Sequence, residues 1–448
     1  MPTDFRPTQG EFRGDFSRDT FDPSKHFLRV LMQQGRVQLD ADWNEQAAIL
    51  LHYLQALARD LIGEHGGPDR GFEITDAGTD FQISPGHYYV NGLLCENEAG
   101  RSYMDQPDYP FPTELQGDSS YLVYLDVWER HITHLEDRDI KEGSIREIAL
   151  GGADTATRSK VVWQVKVEPL LGSKTEAAAS DFLKGLSERR RPTLRAQAYV
   201  SQTPTDPCTI QPEMRYRGSG NQLYRVEIHT GADLAGEKPT FKWSRDNGSV
   251  VLPILAVIES TVSVAHLGKD DRFSLKKGDW VEIVDDDYVL ENRADPLLQV
   301  HAVDRDQCRI TLQQAPKGNV GTNPTKHPLV RRWDHASPKT PQVEGKPKRA
   351  EDGALLVQER RWLTLENGVQ VQFPSAQPPY RTGDFWLIPA RVATGDVEWP
   401  RNGNGSPRSL PPHGINHHYA PLRLISTGQS GEITLGEPLR RTLKILTE

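Results

Sequence analysis

The sequence predicts a mainly β protein of several sandwich- or barrel-like modules, opened by an α+β module that carries one long helix. Three observations lead there. Apolar and aromatic residues recur with period two in runs such as Tyr121–Glu129 (YLVYLDVWE), Lys160–Val167 (KVVWQVKV), Leu223–His229 (LYRVEIH) and Asp279–Val284 (DWVEIV), the alternation of strands that turn a face to a core. Glycine (37) and proline (32) together exceed the roughly 12% of an average chain, which suits many turns between short strands. One stretch, 43–61, instead places apolar residues at alternating steps of four and three, the signature of a helix. With 448 residues, two to four modules are expected.

Residues 1–35 set Phe5, Phe12, Phe16, Phe21 and Phe27 in a polar background with Pro2, Pro7 and Pro23. This reads as an extended arm whose aromatics dock on a surface, its own or a neighbour's. A helix is expected over 42–62, started by Asp42 with Glu45 three residues on, in the manner of a capping box, and stopped by Gly63. Its Trp43, Ala47, Leu50, Leu54, Leu57 and Leu61 have the spacing of a helix–helix seam. Ile49, Leu51, Ala58 and Ile62 widen that stripe as packing on a sheet would require, so packing within the module and self-association both stay open. The α+β module spans 36–170 and includes a hairpin, 87–96, that turns at Asn91-Gly92. Residues 171–195 (with Arg189, Arg190, Arg191 and Arg195) read as a helical, basic linker.

A β-rich module follows over 196–314, with Thr240–Val251 (TFKWSRDNGSVV) expected to be two strands joined at Arg245-Asp246-Asn247-Gly248. Residues 315–352, rich in Pro, Lys and Arg, read as a long loop or insertion. A C-terminal β segment, 353–448, is able to complete the 196–314 module. It holds a hairpin turning at Glu366-Asn367-Gly368, the strand Asp384–Ala390 and closing strands at 421–425 and 432–435.

The chemistry legible in the sequence is sparse. A formal net charge of −9 argues against nucleic-acid binding, which needs a basic face. No apolar run approaches the ~20 residues of a membrane-spanning helix. The polar N-terminus lacks the core of a secretory signal, so cytoplasmic synthesis is expected. Cys95, Cys208 and Cys308 lie too far apart for a metal site and read as buried free thiols. Neither a GxxxxGK[ST] nor a strand-bounded GxGxxG is present, and no GxSxG. His131 and His134, three apart beside several acids, read as a solvated strand exit rather than as ligands. Asp285, Asp286 and Asp287 lack the rest of a calcium loop and read as a solvated turn. His413, His417 and His418 fall within six residues and are the candidate metal ligands, against the simpler reading of a Pro-braced loop packed by its imidazoles. No cofactor is implied. Trp243, Trp333, Trp362, Trp386 and Trp399 sit near strand ends and can be core or interface residues. Trp333, Trp386 and Trp399 are the candidates for contact with a glycan or a partner.

Two blocks carry a resemblance. RGDFSRDTFDP (13–23), running into LMQQGRVQLDADWNEQ (31–46), is similar to a bacterial family found with phage-tail-like contractile injection systems. TFKWSRDNGSVV (240–251), WLTLENGVQVQF (362–373) and YRTGDFWLIPAR (380–391) resemble the same family, so the likeness runs through most of the chain. It implies a non-catalytic structural part of such a particle: a baseplate-peripheral protein, a fibre adaptor or a fibre base. The partners implied are other particle subunits and further copies of the chain, with a trimer favoured, and extracellular release as part of the particle. On this view Phe12, Phe16, Phe21, Phe27, Trp43, Leu50, Leu54, Leu57 and Leu61 would do the docking. A glycan-binding adhesin and a polysaccharide-acting enzyme are the alternatives.

Overall fold

In a computed structural model, which describes residues 10–443 apart from 76–77, 138–144, 148, 150–153, 171–174, 188–190, 200–215, 232–237, 336–344 and 376–378, the chain is largely β with one long helix, α1 (Asp40–Ile62). The predicted start of that helix needs correction. It begins at Asp40 after Leu39, which makes no side-chain cap, and Asp42 and Glu45 do not form a capping box. The acids there answer the arm instead: the Asp40 carboxylate accepts the Ser17 N–H (2.8 Å) and Glu45 accepts the Thr20 hydroxyl (2.5 Å). Asp40 and Asp42 in the first turn and Arg59 in the last suit the helix dipole.

The first module is built on strand Ser120–Ile132, which pairs with Arg158–Pro169 on one side and with His418–Thr427 on the other; Ile433–Pro438 completes the sheet. Every residue from Ser120 to His131 is buried, as the weakly alternating YLVYL run predicts. Tyr121, Val123, Leu125 and Val127 face a core shared with Phe72, Phe81, Tyr88 and Tyr103 from two small three-stranded sheets. Leu122 and Tyr124, one residue out of phase, face the second helix, α2 (Glu176–Ser187), through Ala179 and Leu183. The expected linker is therefore in part a packed helix. Its two buried side chains are four apart, too narrow a stripe to stand out in an Ala- and Lys-containing segment. Arg189 and Arg190 lie outside the described residues. Arg191 donates to the Ile415 carbonyl and Arg195 to Ser409, so these two serve the fold.

The second module is a sandwich of a five-stranded sheet and a three-stranded sheet around Tyr224, Trp243, Phe373, Tyr380 and Trp386. The third is a closed six-stranded antiparallel barrel, with strands Val251–Ile258, Thr261–Val264, Arg309–Leu312, Leu298–Asp304, Trp280–Val284 and Leu329–Trp333 in ring order. The last of these lies in 315–352, expected to be a loop or insertion, yet it pairs with both Trp280–Val284 and Val251–Ile258 and closes the ring. Its two arginines hid it: Arg331 and Arg332 are buried with the rest of the strand, their charges met inside the protein. The 240–251 segment holds two strand ends, Thr240–Ser244 and the start of Val251–Ile258, joined through Arg245-Asp246-Asn247-Gly248 as expected. Asn247 and Gly248 turn at φ 53° and 69°, but Val251 pairs with Arg331, so the turn hands the chain from sandwich to barrel. The 353–448 segment divides as well. Residues 355–397 join the sandwich, whereas 418–438 return to the first module.

Where the three modules meet, the arm is threaded through a buried knot of charge. Arg13 donates to both carboxylate oxygens of Glu227 (3.0 and 3.1 Å) and pairs with Glu11. Glu227 also takes Arg225 (2.6 Å) and Lys242 (3.3 Å), both from the sandwich. Lys242 reaches across to Glu282 of the barrel (2.7 Å), which further accepts Tyr288 and Trp333. The Asn247 amide donates to the Phe12 and Gly14 carbonyls, and the Arg13 N–H donates to His131 of the first module. Burial works to raise the Glu227 and Glu282 carboxyls, but the cations prevail: Glu227 is held well below its usual range and Glu282 down at about 2.

Two outcomes follow from the knot. Arg13→Ala strands Glu227 with part of its charge unmet, and lowers the unfolding free energy by about 3–5 kcal/mol in denaturant titration; a loss within error would show the clasp to be idle. Acid acts on the same region. Burial lowers His131 to about 3, His229 to about 4 and His335 to about 3. Unfolding releases them to bind protons near their ordinary 6.5, so the unfolded state holds more protons throughout pH 4–6.5 and stability rises with pH there. The melting temperature should thus fall steadily as pH drops from 6.5 to 4, with Glu282 adding its loss below about 4.5. A flat profile would contradict the burial of these groups.

Candidate docking surface

α1 is inside out. At 100° per residue, Ala41, Ala48, Ile49 and Gln55, its buried residues, lie on one side, with Glu45, His52, Ala56 and Arg59 beside them. Trp43, Ala47, Leu50, Leu54, Leu57 and Leu61 form the opposite side and point to solvent, with Trp43 79%, Leu54 58% and Leu61 76% exposed. An ordinary surface helix turns its apolar stripe inward; here small and polar residues face the body.

The body side explains this local choice. The Asn91-Gly92 turn of the predicted hairpin butts against the helix backbone, where a Cβ on Gly92 (φ 81°) would stand 2.5 Å from the Gln55 carbonyl oxygen. So close a backbone approach leaves room for Ala48 and Gln55 but not for a leucine row. The arm covers the remaining polar edge. Besides the Ser17 and Thr20 contacts, Phe21 packs on His52 (5.6 Å between rings) and the Val30 N–H donates to Gln46 (2.8 Å). From residue 27 onward this strap is exposed too, at Phe27, Leu28, Leu31, Met32, Val37 and Leu39. These exposed apolar side chains make the helix and strap the candidate for an interaction surface.

The predicted docking residues therefore split. Phe12 and Phe16 pack edge-on against His131 (5.9 and 6.2 Å), and Phe21 lies on α1. These three, half-buried, dock the arm on its own body, one of the two surfaces the sequence left open. Phe27 and the five helix residues are outward. Trp333, Trp386 and Trp399 are corrected: all three are buried, with Trp386 0% exposed, and none presents a ring for a sugar. Their indole N–H groups donate to Glu282, the Leu410 carbonyl and the Arg408 carbonyl. Strand-end position told nothing of burial because loops fold back over those ends.

The three candidate histidines are not gathered round a point. His413 accepts the Leu387 N–H (3.4 Å), His417 pairs with Asp126 (2.7 Å) and His418 contacts the Asn91 amide (3.0 Å). Among the described residues no group of three or more His, Cys, Asp or Glu is placed to hold a metal ion. His134 pairs with Asp154 (3.1 Å). Asp285 caps the short helix Asp286–Leu290, Asp286 binds His327 and joins the barrel to the first module through Arg130, and Asp287 pairs with Lys326, so the three do not form a solvated turn. Cys95 is buried and its thiol raised by burial; Cys308 is half-buried, and Cys208 lies outside the described residues. A groove of roughly 470 Å³ runs between the strap, the start of α1 and the sandwich edge. Its main charges are already engaged, Asp246 with Arg272 (2.5 Å) and Asp40 with the strap.

Among the described residues no helix is long and apolar enough to cross a membrane. The signal that sequence reasoning had in hand but could not orient was the 43–61 seam. Spacing gives the stripe, and only the Gly92 approach shows which way it faces. Comparison with known proteins adds one match: a model of a family of unknown function (DUF6519) matches residues 12–191 and 181–432. No curated protein and no solved structure matches the chain.

Proposed function

The chain belongs to this family of unknown function, and on that premise we propose that it is a structural subunit of a larger assembly, seated through the outward face of α1 and the exposed strap beside it. The observation that carries this reading is the inverted helix: its leucine seam meets solvent while the side carrying Ala41, Ala48, Ile49 and Gln55 meets the body. Leaving that much apolar surface in water is unfavourable by about 25 cal/mol per Å², a cost that a covering partner removes. The arm contributes by placement. Its first half is locked in the charge knot, so the seam and strap are presented in a fixed orientation.

The kind of assembly comes from the sequence resemblance: a phage-tail-like contractile injection particle, in which the chain would be a baseplate-peripheral protein, fibre adaptor or fibre base. The chain would then be synthesised in the cytoplasm and leave with the particle. A glycan-binding adhesin is not favoured, because the tryptophans it would use are in the cores. No arrangement of side chains described above favours a polysaccharide-acting enzyme.

The test replaces the chain in its producing cells by a variant with Leu50→Glu and Leu57→Glu. Wild-type chain should sediment with purified particles, and the variant should fall from them by about tenfold or more, the effect of losing 1.4 kcal/mol or more of binding. Equal retention of both would overturn the proposal.

A further inference from the structure

We infer that the seam of α1 is covered by the same seam of other copies of this chain, so that the protein forms a homo-oligomer around a bundle of α1 helices. The inference rests on the assembly reading and names the occupant of its surface. The register is the first argument. Ala47, Leu54 and Leu61 repeat at seven residues, as do Trp43, Leu50 and Leu57, and the two sets interleave as the knobs of a heptad seam. Only another helix with the same repeat offers matching holes along the 23 residues, about 35 Å, of α1.

Area is the second. The exposed large side chains of α1 together present roughly 800 Å², the size of one side of a standard stable interface. The flanks are the third. Beside the seam stand Gln46 and Tyr53 on one edge and Asn44, Leu51 and Ala58 on the other; charge is confined to the helix ends, Asp42 and Asp60 in line on the first edge and Asp40, which accepts the Ser17 N–H, in line with Ala58 on the second. A seam built for a different chain is steered by charged flanking rows; this one has no such row to reject its own copy. The apolar arc from Tyr53 to Leu51 is also wider than a two-stranded seam needs, and suits three or more helices.

Charge argues against a lipid surface. Across residues 25–62, Lys25, Arg29, Arg36 and Arg59 are balanced by Asp40, Asp42, Glu45 and Asp60, four against four, and α1 alone carries four acids to one base. Helices that lie on membranes rely on a basic polar face. A patch neutral overall has no such attraction to anionic lipid.

The experiment is light scattering on size-fractionated full-length chain at 1–50 µM (chosen to span weak association), for wild type, for Leu50→Glu with Leu57→Glu, and for Leu255→Glu with Ile258→Glu. The last pair changes two exposed apolar residues of the barrel and serves as the control. Wild type and control should run at a multiple of 50.3 kDa. The seam variant should run at the single-chain mass with an unchanged circular dichroism spectrum, its association weakened by about a hundredfold or more. A wild-type monomer across the range, or a seam variant that keeps the wild-type mass, overturns the inference. A wild-type monomer whose seam variant is nonetheless lost from purified particles overturns self-association while leaving the assembly reading in place. A wild-type monomer whose seam variant stays on the particles overturns both.

Discussion

The arrangement depends on one buried interaction, the grip of Arg13 on Glu227. Glu227 lies on the sandwich, Lys242, one of its three cations, reaches the barrel through Glu282, and the Arg13 backbone touches His131 of the first module. Charges this deeply buried are costly to desolvate, and a hydrophobic replacement of equal shape would serve stability as well. What charge provides, and a greasy contact would not, is register. The Arg13 guanidinium sets one nitrogen between both Glu227 oxygens and the other on Glu11, and so admits one seating of the strap. The Asn247 amide, bonded to two strap carbonyls, repeats that selection on the backbone.

From that seating the rest of the N-terminal region follows. Residues 15–30 are led across the polar side of α1, where Ser17, Thr20, Phe21 and Val30 meet Asp40, Glu45, His52 and Gln46. With that side taken and the Asn91-Gly92 turn pressed against the helix backbone, the leucine row is left with no place on its own body. The inverted helix is thus a consequence of packing rather than an isolated oddity. The N-terminal block is a clasp, and the helix it crosses keeps its leucine row in solvent.

Much of the fold was legible in the sequence, because strands buried against a core declare themselves by period and their hairpins by Asn-Gly. The hairpin at 91–92, the one at 367–368 and the fully buried Ser120–Ile132 strand are of this kind. The failures share one cause. Arg225, Glu227, Lys242, Glu282 and Arg331 occupy alternate or charged positions that read as solvent faces, yet all are buried, and Lys242 of the sandwich pairs with Glu282 of the barrel. Pairing between segments distant in the chain leaves no local trace, so the barrel-closing strand Leu329–Trp333 passed for a loop. The α1 seam was visible as spacing, but its direction was set by a glycine turn thirty residues away.

The central claim, that α1 faces outward along its leucines, is tested most directly by hydroxyl-radical footprinting of the dilute full-length chain, read by mass spectrometry residue by residue. Leu54, Leu57 and Leu61 should label as readily as exposed Leu255 and Ile258, and Ile49 should be protected like core Ile388. In concentrated chain the three leucines should become protected while Leu255 and Ile258 do not. Protection of the leucines at every dilution, with Ile49 labelled instead, would mean the helix packs the ordinary way round and would contradict the account.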